Sequence, residues 1–205
     1  MWWLIILVGF ILGVVLPLTL KGRKKLSCGC DCAVCQLRPT VMRLFADHTI
    51  WTRQVVVSAF AELPDLTANL ARLKQNQTDI ALAISHKFES SPGPVFRSQK
   101  KLWDEHIDLA VDVVTAVISN SAGDLKQFQA QWYENANEIA DSLSALQPKV
   151  WPRQVLRDMM KEHLDTLTDE VIARSKKQWM TGIQKQDDVL THILRMAEAI
   201  TKGLA

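Results

Sequence analysis

The feature that most constrains this chain is a short pattern that returns twice. An acidic residue followed by a histidine sits on an otherwise apolar helical face at Leu44-Phe45-Ala46-Asp47-His48-Thr49-Ile50-Trp51. It returns at Leu102-Trp103-Asp104-Glu105-His106-Ile107 and at Met159-Met160-Lys161-Glu162-His163-Leu164. The histidines are 58 and 57 residues apart. A period of that size exceeds one helix and suits a helix pair, so the sequence predicts three helical hairpins in series. A chain of 205 residues has room for one well-buried domain with an appendage and is short for two.

Apolar residues recur at three- and four-residue spacing through each predicted hairpin. The first helix follows Arg38-Pro39-Thr40 and ends at Leu63-Pro64-Asp65, where proline blocks continuation. Its partner runs to about Phe88, ahead of the Ser90-Ser91-Pro92-Gly93-Pro94 loop. The second hairpin begins near Val95, with Gly123 as the expected stop of its first helix and Asp124 opening the return. Gln147 to Pro152 separates it from the third, whose two helices break between Ser175 and Gln178. The second and third return helices share an echo, Gln131-Trp132 with Asp141 and Gln178-Trp179 with Asp188. No stretch alternates with period two, and all seven prolines fall outside the predicted helix interiors of the body. The expected fold is all-α: an N-terminal transmembrane helix followed by a bundle of about six helices.

Trp2 to Leu20 is uncharged and overwhelmingly apolar, and about 19 helical residues reach across a hydrocarbon layer ~30 Å thick. A cleavable signal peptide is the rival, but no basic segment precedes the run and no small-x-small cleavage site follows it. The expected division is residues 1–20 as anchor, 21–39 as a basic, cysteine-rich juxtamembrane tail and 40–205 as the helical bundle. Lys21, Arg23, Lys24 and Lys25 follow the run, which places the N-terminus outside and the body on the cytoplasmic side. Gly9 and Gly13 permit close approach of a second span. All four cysteines, Cys28, Cys30, Cys32 and Cys35, fall in the tail. Their candidate fates are acylation beside the membrane, disulfides in an oxidised setting, or one zinc ion, for which a single compact block is an unusual donor set.

Several classes of chemistry find no support. The formal charge is +2, but Lys21, Arg23, Lys24, Lys25, Arg38 and Asp31 belong to the N-terminal segment. Without them 19 basic side chains face 21 acidic ones, so the body lacks the concentrated positive charge that phosphate contacts require, and no nucleic-acid partner is expected. None of the eight glycines forms a phosphate-cradling loop, and no serine or cysteine of the body sits in a recognisable nucleophile motif. Asn76-Gln77-Thr78 matches a glycosylation acceptor inside a predicted helix. Arg53, after Trp51 and Thr52, suits a rim salt bridge or an anion contact.

The repeat histidines admit two readings. His48, His106 and His163 converge on a metal, with Asp79, Glu138 or Asp188 of the return helices completing the set. Alternatively each is a partly buried histidine hydrogen-bonded to a neighbouring hairpin, repeated because the hairpin was duplicated. The Glu-x-x-His pair of di-iron bundles is absent, which favours the structural reading. His86 and His192 fall outside the repeat and are expected to be incidental. A hydrolase or transferase using the buried imidazoles as general bases is a third, weaker reading.

His48-x-x-Trp51-Thr52-Arg53, Leu63-Pro64-Asp65, Asn76-x-x-Asp79, Gly123-Asp124, Trp132-x-x-Asn135-Ala136, His163-Leu164-x-Thr166 and Met196-Ala197-Glu198 together resemble an uncharacterised family of small all-α proteins. Its members occur in bacteria and in large DNA viruses. The resemblance covers roughly residues 41 to 203. Some bacterial members carry the label acetylglutamate kinase, which the missing phosphate loop and missing strands contradict. The three repeat histidines match the family pattern, His192 does not, and Gly182 stands where relatives tend to have aspartate. The resemblance implies a fold and a range of hosts, with no activity or cofactor.

The expectation is therefore a membrane-anchored structural or interaction protein, such as a minor capsid or membrane-associated virion protein of a large DNA virus, with neighbouring structural proteins as partners. The alternative is a membrane-tethered bundle that binds a metal or small ligand.

Overall fold

In the computed structural model, residues 33–205 are described, and they form six helices. The expected span at residues 2–20 and three of the four cysteines, Cys28, Cys30 and Cys32, lie outside the described residues. Cys35 falls in the first turn of α1, half-buried. No helix among the described residues is long and apolar enough to cross a membrane.

The helices are α1 (Ala33–Phe60), α2 (Leu66–Ser85), α3 (Pro94–Ile118), α4 (Ala122–Leu146), α5 (Arg153–Ser175) and α6 (Trp179–Leu204). Each packs on the next, and α6 closes back on α1, so the three hairpins form a ring. Helix α3 also touches α1 and α5 across the middle. No described residue is in a strand. The all-α hairpin architecture expected from the repeat is the one observed.

The repeat reaches further than the histidines. Three residues before each histidine, Phe45, Trp103 and Met160 are buried; eight residues after, Val56, Val114 and Val171 are buried, with one another as neighbours. The odd helices therefore run parallel and in register, stacking equivalent side chains in layers. On the return helices Ala81, Ala140 and Ala197 are equivalent, each with no exposed surface. A methyl group there lets helices approach closely, and Ile80, Ile139 and Met196 beside them fill the core.

The turns repeat too. Fourteen residues after each histidine stands a left-handed residue, Glu62, Asn120 or Lys177, with φ of 51°, 54° and 56°. Each is followed by the backbone bond that closes a Schellman turn: Leu63 N–H to Ser58 O, Ser121 N–H to Ala116 O, and Gln178 N–H to Ala173 O, at 2.9 to 3.0 Å. The chain thus stops three parallel helices with one motif and without glycine. Gly123, expected as a stop, is the second residue of α4. Its place is taken by Asn120, whose side chain tolerates the left-handed region.

Two further expectations differ from the structure. The first helix begins at Ala33 and carries Pro39 inside it. Proline there forfeits the bond to the carbonyl four residues back and crowds that carbonyl, a cost offset by the packing of Val41 and Phe45 just beyond it and by the pairing of Arg38 with Glu198 of α6. The Gln-Trp echo is also not a structural equivalence. Trp132 is buried in the core and Trp179 is 56% exposed at the start of α6, and the residues that match Trp132 in register are Leu73 and Val189.

Candidate functional site

The first helix of each hairpin carries its histidine inward because the residue lies on the same stripe as the core side chains three before and eight after it. His48, His106 and His163 are all buried. His163 sits in the middle: its ring centroid is 5.7 Å from that of His48, 6.1 Å from His106 and 6.4 Å from His192. The structure brings the three repeat histidines together and adds a fourth, while the partners of His48 and His106 come from their own hairpins and not from neighbouring ones. His192, expected to be incidental, is fully buried; His86 is exposed.

The return helices show why His192 belongs. Asn76 Nδ2 donates to Leu44 O at 2.9 Å, Asn135 Nδ2 to Leu102 O at 3.1 Å, and His192 Nε2 to Met159 O at 2.9 Å. Each acceptor is the carbonyl four residues before the repeat histidine. His192 is therefore the third hairpin's version of the asparagine, clamping the two helices together through the same carbonyl.

The substitution has a consequence for His163. In the second hairpin the Asn135 oxygen also accepts from His106 Nδ1 at 2.9 Å. In the first, Gln77 Nε2 donates to His48 Nδ1 at 2.9 Å. His192 has no second group aimed inward, since its Nδ1 faces Arg195 Nη2 at 3.3 Å and Glu162 Oε1 at 3.2 Å near the surface. His163 Nδ1 is left buried with no partner in the protein. The amide partners also fix two tautomers. His48 accepts at Nδ1, so its proton is on Nε2; His106 donates from Nδ1, so its Nε2 carries a lone pair.

Glu162 reaches His192, and no carboxylate bears on His48, His106 or His163. Burial, with the neighbouring His106 ring adding to it, holds the His48 pKa down at about 3. Burial holds His106 at about 4, the hydrogen bond to Asn135 acting in the opposite sense. Burial and the three surrounding imidazoles hold His163 well below the ordinary histidine value. At neutral pH these three rings are uncharged, which suits packing and also suits binding of a neutral guest or an electrophile.

The carboxylates once expected to complete a metal set stay outside. Asp79 accepts from Gln75 at the surface, Glu138 is exposed, and Asp188 lies 4.0 Å from Lys185 on α6. The acidic residues preceding the histidines also point away: Asp47 faces Arg43 and Arg72, Glu105 is exposed, and Glu162 pairs with Arg195. Among the described residues no three His, Cys, Asp or Glu side chains are placed to hold one metal ion.

Sequence reasoning also missed Glu170. It occupies the position held by Val55 and Val113 in the other hairpins, is 1% exposed, and pairs with Arg53. Burial raises its pKa against the pull of Arg53 and Arg174. Arg53 is thus spent on a salt bridge. Asn76 is fully buried with its amide engaged, so the folded chain offers no acceptor at Asn76-Gln77-Thr78.

Fold and site together define a class: an all-α ring of three hairpins around a buried imidazole cluster. Compared with known proteins, the chain matches no family model, no curated protein and no solved structure.

Proposed function

We propose that the chain is a membrane-anchored structural and interaction protein, held by residues 2–20 with its N-terminus outside and the helical body in the cytoplasm, and that it serves as a minor capsid or membrane-associated virion protein of a large DNA virus. The observation that carries this reading is how the body uses its groups. Most of the imidazoles, amides and alanines inside clamp or pack helices, while a group of large apolar side chains is left outside at one end, with Leu37, Ile50, Val150 and Val155 exposed elsewhere. Leu63, Ile118, Trp179 and Met180 are exposed around the turns that end α1, α3 and α5, Met180 by 79%. Arg174 lies over the rings of both Phe60 and Trp179, holding them as one surface. Apolar groups displayed on a rigid end are what a protein neighbour buries. The uncharged run at residues 2–20 with the basic residues after it supports the anchor, and the family resemblance supports the virion setting.

Carbonate extraction with protease protection of the full chain tests the anchor, and crosslinking in purified particles tests the setting. Retention in the membrane, with the body cleaved only from the cytoplasmic side and crosslinks to structural proteins at Trp179 or Met180, is expected. Recovery as a soluble monomer absent from particles would contradict the proposal. The second reading, a tethered bundle for a metal or small ligand, is favoured by one observation, the unpartnered nitrogen of His163.

A further inference from the structure

The repeat supplies an internal control for the turn between α5 and α6. In register with the histidines, Ser119-Asn120-Ser121-Ala122-Gly123 of the second hairpin is matched by Lys176-Lys177-Gln178-Trp179-Met180 of the third. Both turns have one backbone: Asn120 and Lys177 are left-handed at φ of 54° and 56°, and the Ser121 N–H to Ala116 O bond is matched by Gln178 N–H to Ala173 O. Small side chains suffice to make this turn, so the fold does not require the large ones.

Just beyond it the apolar residues have changed sides. Leu125 of α4, half-buried against the core, is matched by Gly182, where a Cβ would meet nothing within 4 Å. The exposed Ala122, Gly123 and Lys126 are matched by Trp179, Met180 and Ile183, which are exposed by 56%, 79% and 50%. An inward leucine has been given up, and three large apolar side chains stand outward on the first two turns of α6. A contiguous outward group of that kind marks a surface that a partner covers.

The charge around the group has changed as well. Asp124 is matched by Thr181, and α6 has no acidic residue in its first turn. Lys176 and Lys177 are exposed, and no side chain among the described residues pairs with either ammonium. Lys185, by contrast, is held by Asp169 at 2.9 Å. Apolar side chains beside two free ammonium groups complement a surface that is apolar at its centre and carries carboxylates at its rim. A second copy meeting this patch with its own would set the same lysines against each other.

We propose that the α5–α6 turn and the start of α6 dock a segment of a partner protein that lays aliphatic side chains on Trp179, Met180 and Ile183 and sets carboxylates against Lys176 and Lys177. This rests on the reading of the chain as an interaction protein and adds the chemistry of its partner.

The test is carbodiimide, which joins an amine directly to a carboxylate, applied to the full chain in the membranes or particles that hold it, with a diazirine probe placed at Met180 alone in a parallel sample. Lys176 or Lys177 is expected to be joined to an Asp or Glu of a different protein, with aliphatic residues within about one helical turn of it. The yield is expected to fall about tenfold in the double variant Trp179→Ser, Met180→Ser, as loss of an aromatic anchor implies, with circular dichroism checking that the fold is kept. Products only with another copy of this chain, attachment of the Met180 probe to lipid alone, or an unchanged yield in the double variant would each overturn the proposal. Attachment of the Met180 probe to a protein, with no carbodiimide product at either lysine, would overturn it while leaving the interaction reading intact; absence of both products would overturn both.

Discussion

Acidification from pH 7 to pH 5 strikes the buried imidazoles directly. In the unfolded chain each histidine titrates near 6.5, whereas in the fold His48 is held at about 3 and His106 at about 4. Between those limits the unfolded state binds protons that the folded state does not, so stability falls as the pH falls through 6.5 and levels off only below the folded values. At pH 5 each of the two has lost about 1.5 units, at about 1.36 kcal/mol per unit, or roughly 2 kcal/mol. Together they remove about 4 kcal/mol of a total that is typically 5–15 kcal/mol. His163, also lowered, adds in the same direction. Glu170, raised by burial, acts oppositely by taking up its proton in the fold; one such group offsets part of the loss from three. Urea denaturation of the full chain in detergent, followed by circular dichroism at pH 7, 6 and 5, is expected to show a falling midpoint. The double variant His48→Leu, His106→Leu is expected to lose about 4 kcal/mol of that pH dependence. Equal stability at pH 7 and pH 5, or an undiminished drop in the double variant, refutes the reasoning.

Three further outcomes follow from packing and turn geometry. A Cβ at Gly203 would lie 2.1 Å from Trp151 Cε2, inside a ring fixed by its Nε1 bond to Ala199 O, so Gly203→Ala is expected to destabilise by about 1–3 kcal/mol in the same denaturation assay. Glu62→Gly and Lys177→Gly relieve left-handed backbone at φ of 51° and 56°, and each is expected to raise stability by up to about 1 kcal/mol. Leu164 has no exposed surface and Met180 is 79% exposed. Leu164→Ala is expected to cost about 2–5 kcal/mol and Met180→Ala less than about 0.5 kcal/mol, a contrast that thermal melts resolve.

The architecture was legible because histidine is rare and the odd helices kept it at one position in all three hairpins. The return helices hid their repeat by changing residue type: Asn76, Asn135 and His192 do the same work with different side chains, so His192 looked stray. The signal that aligns them, Ala81, Ala140 and Ala197, is a residue too common to notice. The turns were opaque for a related reason, since Glu62, Asn120 and Lys177 adopt a conformation usually announced by glycine. Glu170 was missed because a carboxylate among apolar neighbours reads as a surface residue until Arg53 of another hairpin is seen beside it.

The account rests on a core in which His48 and His106 are neutral and fixed in tautomer by Gln77 and Asn135. Imidazole ¹⁵N chemical shifts of the full chain between pH 7 and pH 5 measure this directly. His48 is expected to be protonated on Nε2 and His106 on Nδ1, with neither titrating across the range. Titration of either ring near 6.5, or shifts showing metal coordination, would contradict it.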